Sequence, residues 1–199
     1  MFVDKVFPNP RRIHGLQIEK VRPSEIVGNN QVEQRRAKLQ HYRTVWSWPT
    51  YPMLAERRKA IENFIQDTAQ FAQNSFKFRA PNSNKWTLMP LQYAGANNYF
   101  KLTERGIGDN HPIFHLDSDV TVRVGGAPAT FTKLIYGGVP VIAVAGATAG
   151  SSVTISGSYF YSVRLNQSSV TYTMVALNQD NNSYADTLSD ISLIEVFEY

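Results

Sequence analysis

The sequence predicts a mainly β protein with one α-helix, an antiparallel β-sandwich, and three observations carry that reading. Short runs of large residues at alternate positions recur along most of the chain, as in 42–48, 120–124 and 131–136. Glycine pairs, Gly125-Gly126 and Gly137-Gly138, close such runs at the spacing of a sandwich or barrel. Only one stretch, roughly 52–73, repeats its apolar residues near a period of 3.6.

The first thirty residues read as extended chain. Leu16, Ile18, Lys20 and Arg22 alternate with Gln17, Glu19 and Val21, and Pro8, Pro10 and Pro23 exclude a long helix. Gly28-Asn29-Asn30 is a tight-turn signal between two antiparallel strands. The strand after it is expected to run from about Gln31 to Trp48, with Tyr42, Thr44, Trp46 and Trp48 on one face and Pro49 as its stop. In the helix, Pro52 suits a first-turn position, where its missing N–H is not needed. Leu54, Ile61, Phe64, Ile65, Thr68, Phe71 and Ala72 form its apolar stripe, and Asn74 its stop. A short strand over 75–79 follows. Beyond Trp86 only strands are expected: 120–124, 131–136, 139–144, 152–156, 159–165, 169–177 and 191–197, with the Asn-rich 178–183 as a loop.

At 199 residues, 43% hydrophobic and 18% charged, the chain is long enough for one domain or two small ones with a real core. The absence of cysteine excludes a disulfide scaffold, a cysteine nucleophile and a thiolate metal site. The start of the chain, with Asp4, Lys5 and Pro8, does not resemble a signal peptide, and the longest apolar run, 139–149, is too short to span a bilayer. The expectation is a soluble protein made in the cytoplasm. The net charge of +4 is unevenly spread. Residues 1–85 hold 15 Lys and Arg against 7 Asp and Glu; residues 86–199 hold 5 against 9. Such asymmetry fits either a nucleic-acid-binding front half or complementary contacts between neighbouring subunits.

No catalytic constellation emerges. His111 and His115 are the one close histidine pair, but Pro112 between them and the glycines before them argue for a loop leading into a strand. Asp117 or Asp119 would be the carboxylate to complete a metal site there; a polar loop and a strand histidine are the simpler reading. The run 105–109, Arg-Gly-Ile-Gly-Asp, lacks the following helix that a phosphate-binding loop needs. The carboxylate pairs Asp117/Asp119 and Glu195/Glu198 read as solvated side chains. Ser156 and Ser158 do not sit in a nucleophile elbow. The aromatics Tyr42, Trp46, Trp48, Phe76, Phe78, Tyr159, Phe160 and Tyr161 read as core packing in preference to stacking platforms for bases. The chain is therefore expected not to be an enzyme and to need no cofactor or metal.

Three blocks, taken in order, resemble one family. The first is Val32-Glu33-Gln34-Arg35-Arg36 followed by Tyr42-Arg43-Thr44-Val45-Trp46. The second is Ile61-Glu62-Asn63-Phe64-Ile65 leading into Phe76-Lys77-Phe78-Arg79-Ala80-Pro81-Asn82. The third is Val163-Arg164-Leu165, the strand 169–177, and the ending Asp190-Ile191-Ser192-Leu193-Ile194-Glu195-Val196. This order resembles the short distal tail proteins of long-tailed phages and gene-transfer agents, whose last strand has the form Ile-Pro-Leu-Val-Glu; Ser192 stands here for that proline. The resemblance implies a tail-tube-like antiparallel β-sandwich with six copies in a ring. The ring would lie between the tail tube protein and the baseplate hub or fibre protein of a virion, with no catalysis and no cofactor. It also implies a tube-like domain of 1–92 plus 158–199 and an inserted β module, 93–157. Arg35, Arg36, Arg57 and Arg58 are the candidate subunit contacts, and no specific nucleic acid or membrane is expected as a partner. Two rival readings are a receptor- or carbohydrate-binding β module of a tail fibre, favoured by exposed Trp and Tyr in a groove, and a nucleic-acid-binding protein using the basic front half.

Overall fold

The computed structural model describes residues 1–8, 15–21, 24–29, 32–37, 42–50, 53–70, 72–81, 84–167, 169, 171–178, 183–188 and 190–197, with the backbone alone for 24–29, 32–37, 53–55, 172–178 and 183–188. The protein is mainly β with one helix. It divides into two compact units, one of Met1–Phe78 with Val163–Val196, the other of Arg79–Ser162 with Phe197–Tyr199.

In the first unit the chain forms β1 (Phe2–Val6), β2 (Gln17–Val21), β3 (Ser24–Asn29), β4 (Val32–Ala37), β5 (Arg43–Trp48) and β6 (Met53–Leu54). Helix α1 (Ala55–Asn63) follows, continues as a π-helical stretch over Phe64–Ala69, and leads to β7 (Ser75–Phe78). The second unit holds β8 (Lys85–Pro90), β9 (Tyr99–Lys101), β10 (His115–Leu116), β11 (Thr121–Val124), β12 (Ala127–Ala129), β13 (Phe131–Tyr136) and β14 (Val139–Val144). Strand β15 (Val153–Leu165) belongs to the second unit as far as Ser162. The chain then adds β16 (Tyr172–Asn178), β17 (Ser183–Leu188) and β18 (Ile191–Glu195) to the first.

The main sheet of the first unit has the order β1-β7-β15-β18-β5-β2. The strands from β15 to β2 pair antiparallel, whereas β1 and β7 are parallel, Phe2 opposite Ser75. The period of two on β5 and β7 turns Trp46, Trp48, Phe76 and Phe78 inward, and all four are 2% exposed or less. Phe7, 1% exposed, is anchored by its N–H to Lys77 O at 2.8 Å and stacks on Phe76 at 5.8 Å between ring centroids. Trp48 stacks on Phe78 at 5.8 Å, and Trp46 meets the same ring edge-on at 5.3 Å. Phe64 closes the cluster edge-on to Phe76 at 4.9 Å. Each such ring contributes about 1.5–3 kcal/mol by burial, and ring pairs about 0.5–1.5 kcal/mol more.

The helix is shorter than its apolar period predicts. Met53 and Leu54 pair with Asp186 and Ala185 of β17, so Leu54 is spent on a strand, and the helix begins at Ala55. Its other end comes at Gln70, in the left-handed region at φ 44°. Asn74 acts as the stop, from a distance: its side-chain N–H donates to Thr68 O at 2.9 Å and its backbone N–H to Ala69 O at 3.1 Å, satisfying two end carbonyls. Pro52 and Phe71 lie outside the described residues. The expected turn at Gly28 is displaced as well. Gly28 and Asn29 sit inside β3, opposite Glu33 and Val32 of β4; Asn30 lies outside the described residues. The single strand expected from Gln31 to Trp48 is two, β4 and β5. In the Asn-rich region the chain resumes as a strand at Ser183, because β17 has β16 and β6 to pair with.

The largest departure is β15. The glycine and serines at 156–158 read as a break, yet thirteen residues run through them as one strand. Between Ile155 and Gly157 the register against β8 slips: Ile155 faces Met89 and Gly157 faces Trp86, so β8 carries one extra residue. That bulge holds Leu88 in the left-handed region at φ 47°, and its N–H donates to Ser156 Oγ at 2.9 Å. Gly157 itself has φ 130°, and a Cβ there would stand 2.6 Å from Val120 Cα and 3.0 Å from Asp119 O. A glycine that sequence rules read as punctuation is here a site of close backbone approach.

In the second unit β8, β10 and β11 pair with β15, β12 with β11, and β13-β14-β9 form a separate antiparallel sheet. Trp86 stacks on Tyr159 at 4.5 Å and gives its indole N–H to Glu104 O at 3.0 Å. Because β8 pairs with residues 154–158, the boundary between the units falls at Arg79 and Ser162; the expected module boundaries are 93 and 157.

Three mutations test this packing. Gly157→Ala is expected to destabilise the protein by about 3 kcal/mol or more, since the Cβ meets backbone and the φ is unfavourable. Phe76→Ala is expected to cost about 3–5 kcal/mol and Phe64→Ala, only half-buried, less. Denaturant melts of the three variants check both the size and the order.

Candidate interaction surfaces

The four candidate arginines fall on two elements. Arg35 and Arg36 lie on β4, opposite Ile26 and Glu25 of β3; their side chains lie outside the described residues. Arg57 and Arg58 are half-buried on α1, whose neighbours are β6 and β17. Among the described strands the β3–β4 hairpin pairs only with itself, so no strand pairing brings the two arginine pairs together.

Folding also redistributes charge. The segment 163–196 holds one arginine against four acidic residues, and it folds into the same unit as the basic segment 1–78. By sequence the first unit then carries 14 Lys and Arg against 11 Asp and Glu, the second 6 against 5. The contrast between +8 and −4 along the chain becomes +3 and +1 between the compact units. A nucleic-acid face needs cationic residues concentrated on one surface, and the chain's own acidic segment offsets this excess.

The residues with chemical potential are engaged in local structure. His111 is 1% exposed and packs against Phe197 at 5.5 Å and Tyr161 at 6.4 Å. His115 pairs with Phe160 across β10 and β15 and is also buried. Asp117 forms an ion pair with Arg79, whose guanidinium lies 4.8 Å from the centre of the Phe160 ring. Asp119 accepts the Ser158 N–H at 2.8 Å and its hydroxyl at 2.9 Å. The Ser158 backbone N–H is the main reason that the Asp119 carboxyl lies below its ordinary value of 3.8. Asp117 and Asp119 thus do different work, and both lie beyond the end of β10 at Leu116. Among the described residues no group of three or more His, Asp and Glu could hold a metal ion.

The 103–111 loop is a built turn. Asp109 accepts the N–H groups of Arg105 at 2.8 Å and His111 at 3.1 Å, and Thr103 Oγ1 bonds Gly106 from both sides. A Cβ at Gly106 would stand 2.4 Å from Pro90 O, so the glycine serves close packing on β8. Glu195 corrects the expectation of a solvated acid. It is 2% exposed, and its Oε2 accepts the Thr44 N–H at 3.0 Å, one residue past the last backbone pair of β18 with β5. Glu198 lies outside the described residues. Sequence pattern did not mark Glu195, because an acid at the end of a strand ordinarily faces water.

Among the described residues, exposed features are few. All three tryptophans are 4% exposed or less, which removes them as sugar-stacking platforms. An open depression of about 550 Å³ is lined by Gln167, Ser169, Thr171 and Asp190, with Gln167 already accepting the Ser192 N–H at 3.1 Å. The outer strands of the main sheet, β1 and β2, expose Asp4 and Lys5, and Glu19 and Lys20. Among the described residues no helix is long and apolar enough to cross a membrane. No protein-family model matches the sequence, and no curated protein matches it significantly.

The Asp119 interaction sets a pH dependence. Its folded pKa is depressed, so its contribution to stability is fully present above the unfolded value near 3.8 and is lost as the pH falls through the folded one. Asp119→Asn is expected to lower stability near neutrality and to flatten its fall over that acid range, so that the two proteins converge at low pH. Melting temperatures of both proteins from pH 6 to pH 2 check it.

Proposed function

We propose that this chain is a structural protein of a phage-type tail: a distal tail protein, six copies of which close into a ring at the baseplate hub, between the tail tube and the hub or fibre. In this reading it is not an enzyme. The observation that carries it is convergence. The three sequence blocks that resemble the distal tail family, separated by up to eighty residues of chain, fall almost entirely into the first unit. The strand of the first block, β5, is hydrogen-bonded to β18 of the third, and β18 to Val163–Leu165. The intervening chain, where the resemblance is weakest, makes the second unit.

The sheet edges support assembly of this kind. β1 and β2 stand at opposite ends of the strand order, and each exposes one acid and one base. A contact between two different edges is heterologous, and repetition of a heterologous contact closes a ring when the rotation allows. Charged edges favour side-chain pairing over direct strand addition. The half-buried Arg57 and Arg58 of α1 are the described basic residues assigned to subunit contact. The buried tryptophans weigh against the carbohydrate-binding alternative, and the charge balance of the first unit against nucleic acid.

Reconstruction of assembled tails is expected to show six copies in one ring at the tail tip; three or twelve copies, or copies stacked along the tube, would sink the reading. Binding to duplex DNA at physiological salt is expected to be weak and non-saturating. Saturable binding whose affinity falls about 10³-fold or more between 50 and 200 mM salt would favour the nucleic-acid reading instead.

A further inference from the structure

We infer that the outer edge of β13 is a self-association surface, on which two copies of this chain pair their β13 strands antiparallel about a two-fold axis at Leu134. The inference rests on the second unit alone and does not depend on the tail reading.

Exposed strand edges are ordinarily protected by charge, proline, bulges or shortness. The edge strands whose side chains are described obey this, with one exception. β1 exposes Asp4 and Lys5, and β2 exposes Glu19 and Lys20. β8 carries the Leu88 bulge and Pro90, β12 is three residues with Pro128 at its centre, and β10 is two residues long. The far side of β9 is covered by residues 92–94, through Lys101 N–H to Gln92 O and Ala94 N–H to Tyr99 O, both 2.8 Å. β13 is six residues long, regular against β14 along its whole length, and free of proline. Among the described residues no strand pairs with its other side. Its one charged residue does not guard that side: Lys133 Nζ turns back to donate to Phe114 O at 2.7 Å. Ile135 is 51% exposed and Tyr136 42%.

The backbone is set for pairing. The Ala145 N–H donates to Thr130 O, so even-numbered residues of β13 bond to β14 and odd-numbered ones, Ile135 among them, turn their N–H and C=O outward. A second copy is the occupant because the strand is self-complementary in one register. Because only odd-numbered residues bond outward, odd must face odd, and two-fold pairing within 131–136 then has two registers of greatest overlap. An axis at Lys133 would place the two lysines directly opposite each other, which is unfavourable. An axis at Leu134 places Leu134 against Leu134, Lys133 against the apolar Ile135, and Thr132 against Tyr136 of the second copy. Five residues a side bury less than the roughly 1,200 Å² of a stable interface, so the dimer is weak, and trapping suits it better than isolation.

The chain has no cysteine, so a single introduced thiol reports alone. In the Leu134 register the two Leu134 Cα atoms lie about 4.5–5.5 Å apart, within disulfide reach, whereas the two Thr132 positions lie about 13 Å apart along the strands. Under mild oxidation the full chain with Leu134→Cys is expected to form a covalent dimer at least about tenfold faster than the Thr132→Cys chain. Equal rates, or no dimer from either, would overturn the inference. Sedimentation of variants at Ile135, an exposed position, tests the register without a thiol. Ile135→Lys sets like charges against Lys133 of the second copy and is expected to weaken association about tenfold, while Ile135→Glu is expected to preserve it. Equal weakening by both, or a native chain whose mass is independent of concentration, would overturn the inference as well. A failed hexamer with a trapped Leu134 pair, or the reverse, separates this inference from the ring proposal.

Discussion

Strand β15 is the constraint from which the pairing pattern follows. Its residues 163–165 pair with β18 in the first unit, and 153–160 pair with β8, β10 and β11 in the second. A strand bonded on both edges and covered on both faces must be apolar almost throughout, and β15 is buried at nine of its thirteen positions, which marks it as an interior strand. Gly157 makes the run possible. Val120 approaches it so closely that any side chain would displace backbone, and the bulge at Leu88 absorbs the resulting slip in register. Ser156 supplies the acceptor that the bulged amide needs, and Asp119 accepts the amide and hydroxyl of Ser158. The polar residues at 156–158 are thus the fittings of one continuous strand.

The same economy governs the other polar groups. Glu195 ends a strand and replaces a missing ladder bond with its carboxylate; Asn74 ends a helix and supplies its side chain to an orphan carbonyl. Asp109 organises a tight loop through two backbone amides. Each of these would draw attention as chemistry in a list of residue types, and each is occupied in satisfying backbone. Polar side chains engaged in this way leave the surfaces as the place to look for function.

Those surfaces differ between the units. The edges of the first unit are charged and favour contacts through side chains, at two different sites, as the proposed ring would require. The exposed edge of the second unit is regular and almost uncharged and favours contact with its own kind. The two proposed contacts would obey different symmetries, heterologous and two-fold, on different strands.

The sequence by itself determined the class of fold and much of the core. Alternation placed Trp46, Trp48, Phe76 and Phe78 inward, because a strand has a period of two whatever its neighbours. Glycine pairs located the turns after β11 and β13 for an equally local reason, their positive φ. Ile61, Ile65 and Thr68 were legible as a buried helical face. What tertiary structure decided was everything that depends on a partner. Met53 and Leu54 became a strand because β17 lies beside them, and Gly157 became a continuous strand residue because Val120 does. Glu195 was buried because Thr44 presented an N–H, and the acidic tail was folded onto the basic front because β18 pairs with β5. Local pattern reports what one residue prefers next to its chain neighbours; close approach, unsatisfied amides and charge neutralisation arise between residues far apart in the chain, and only the folded chain brings them together.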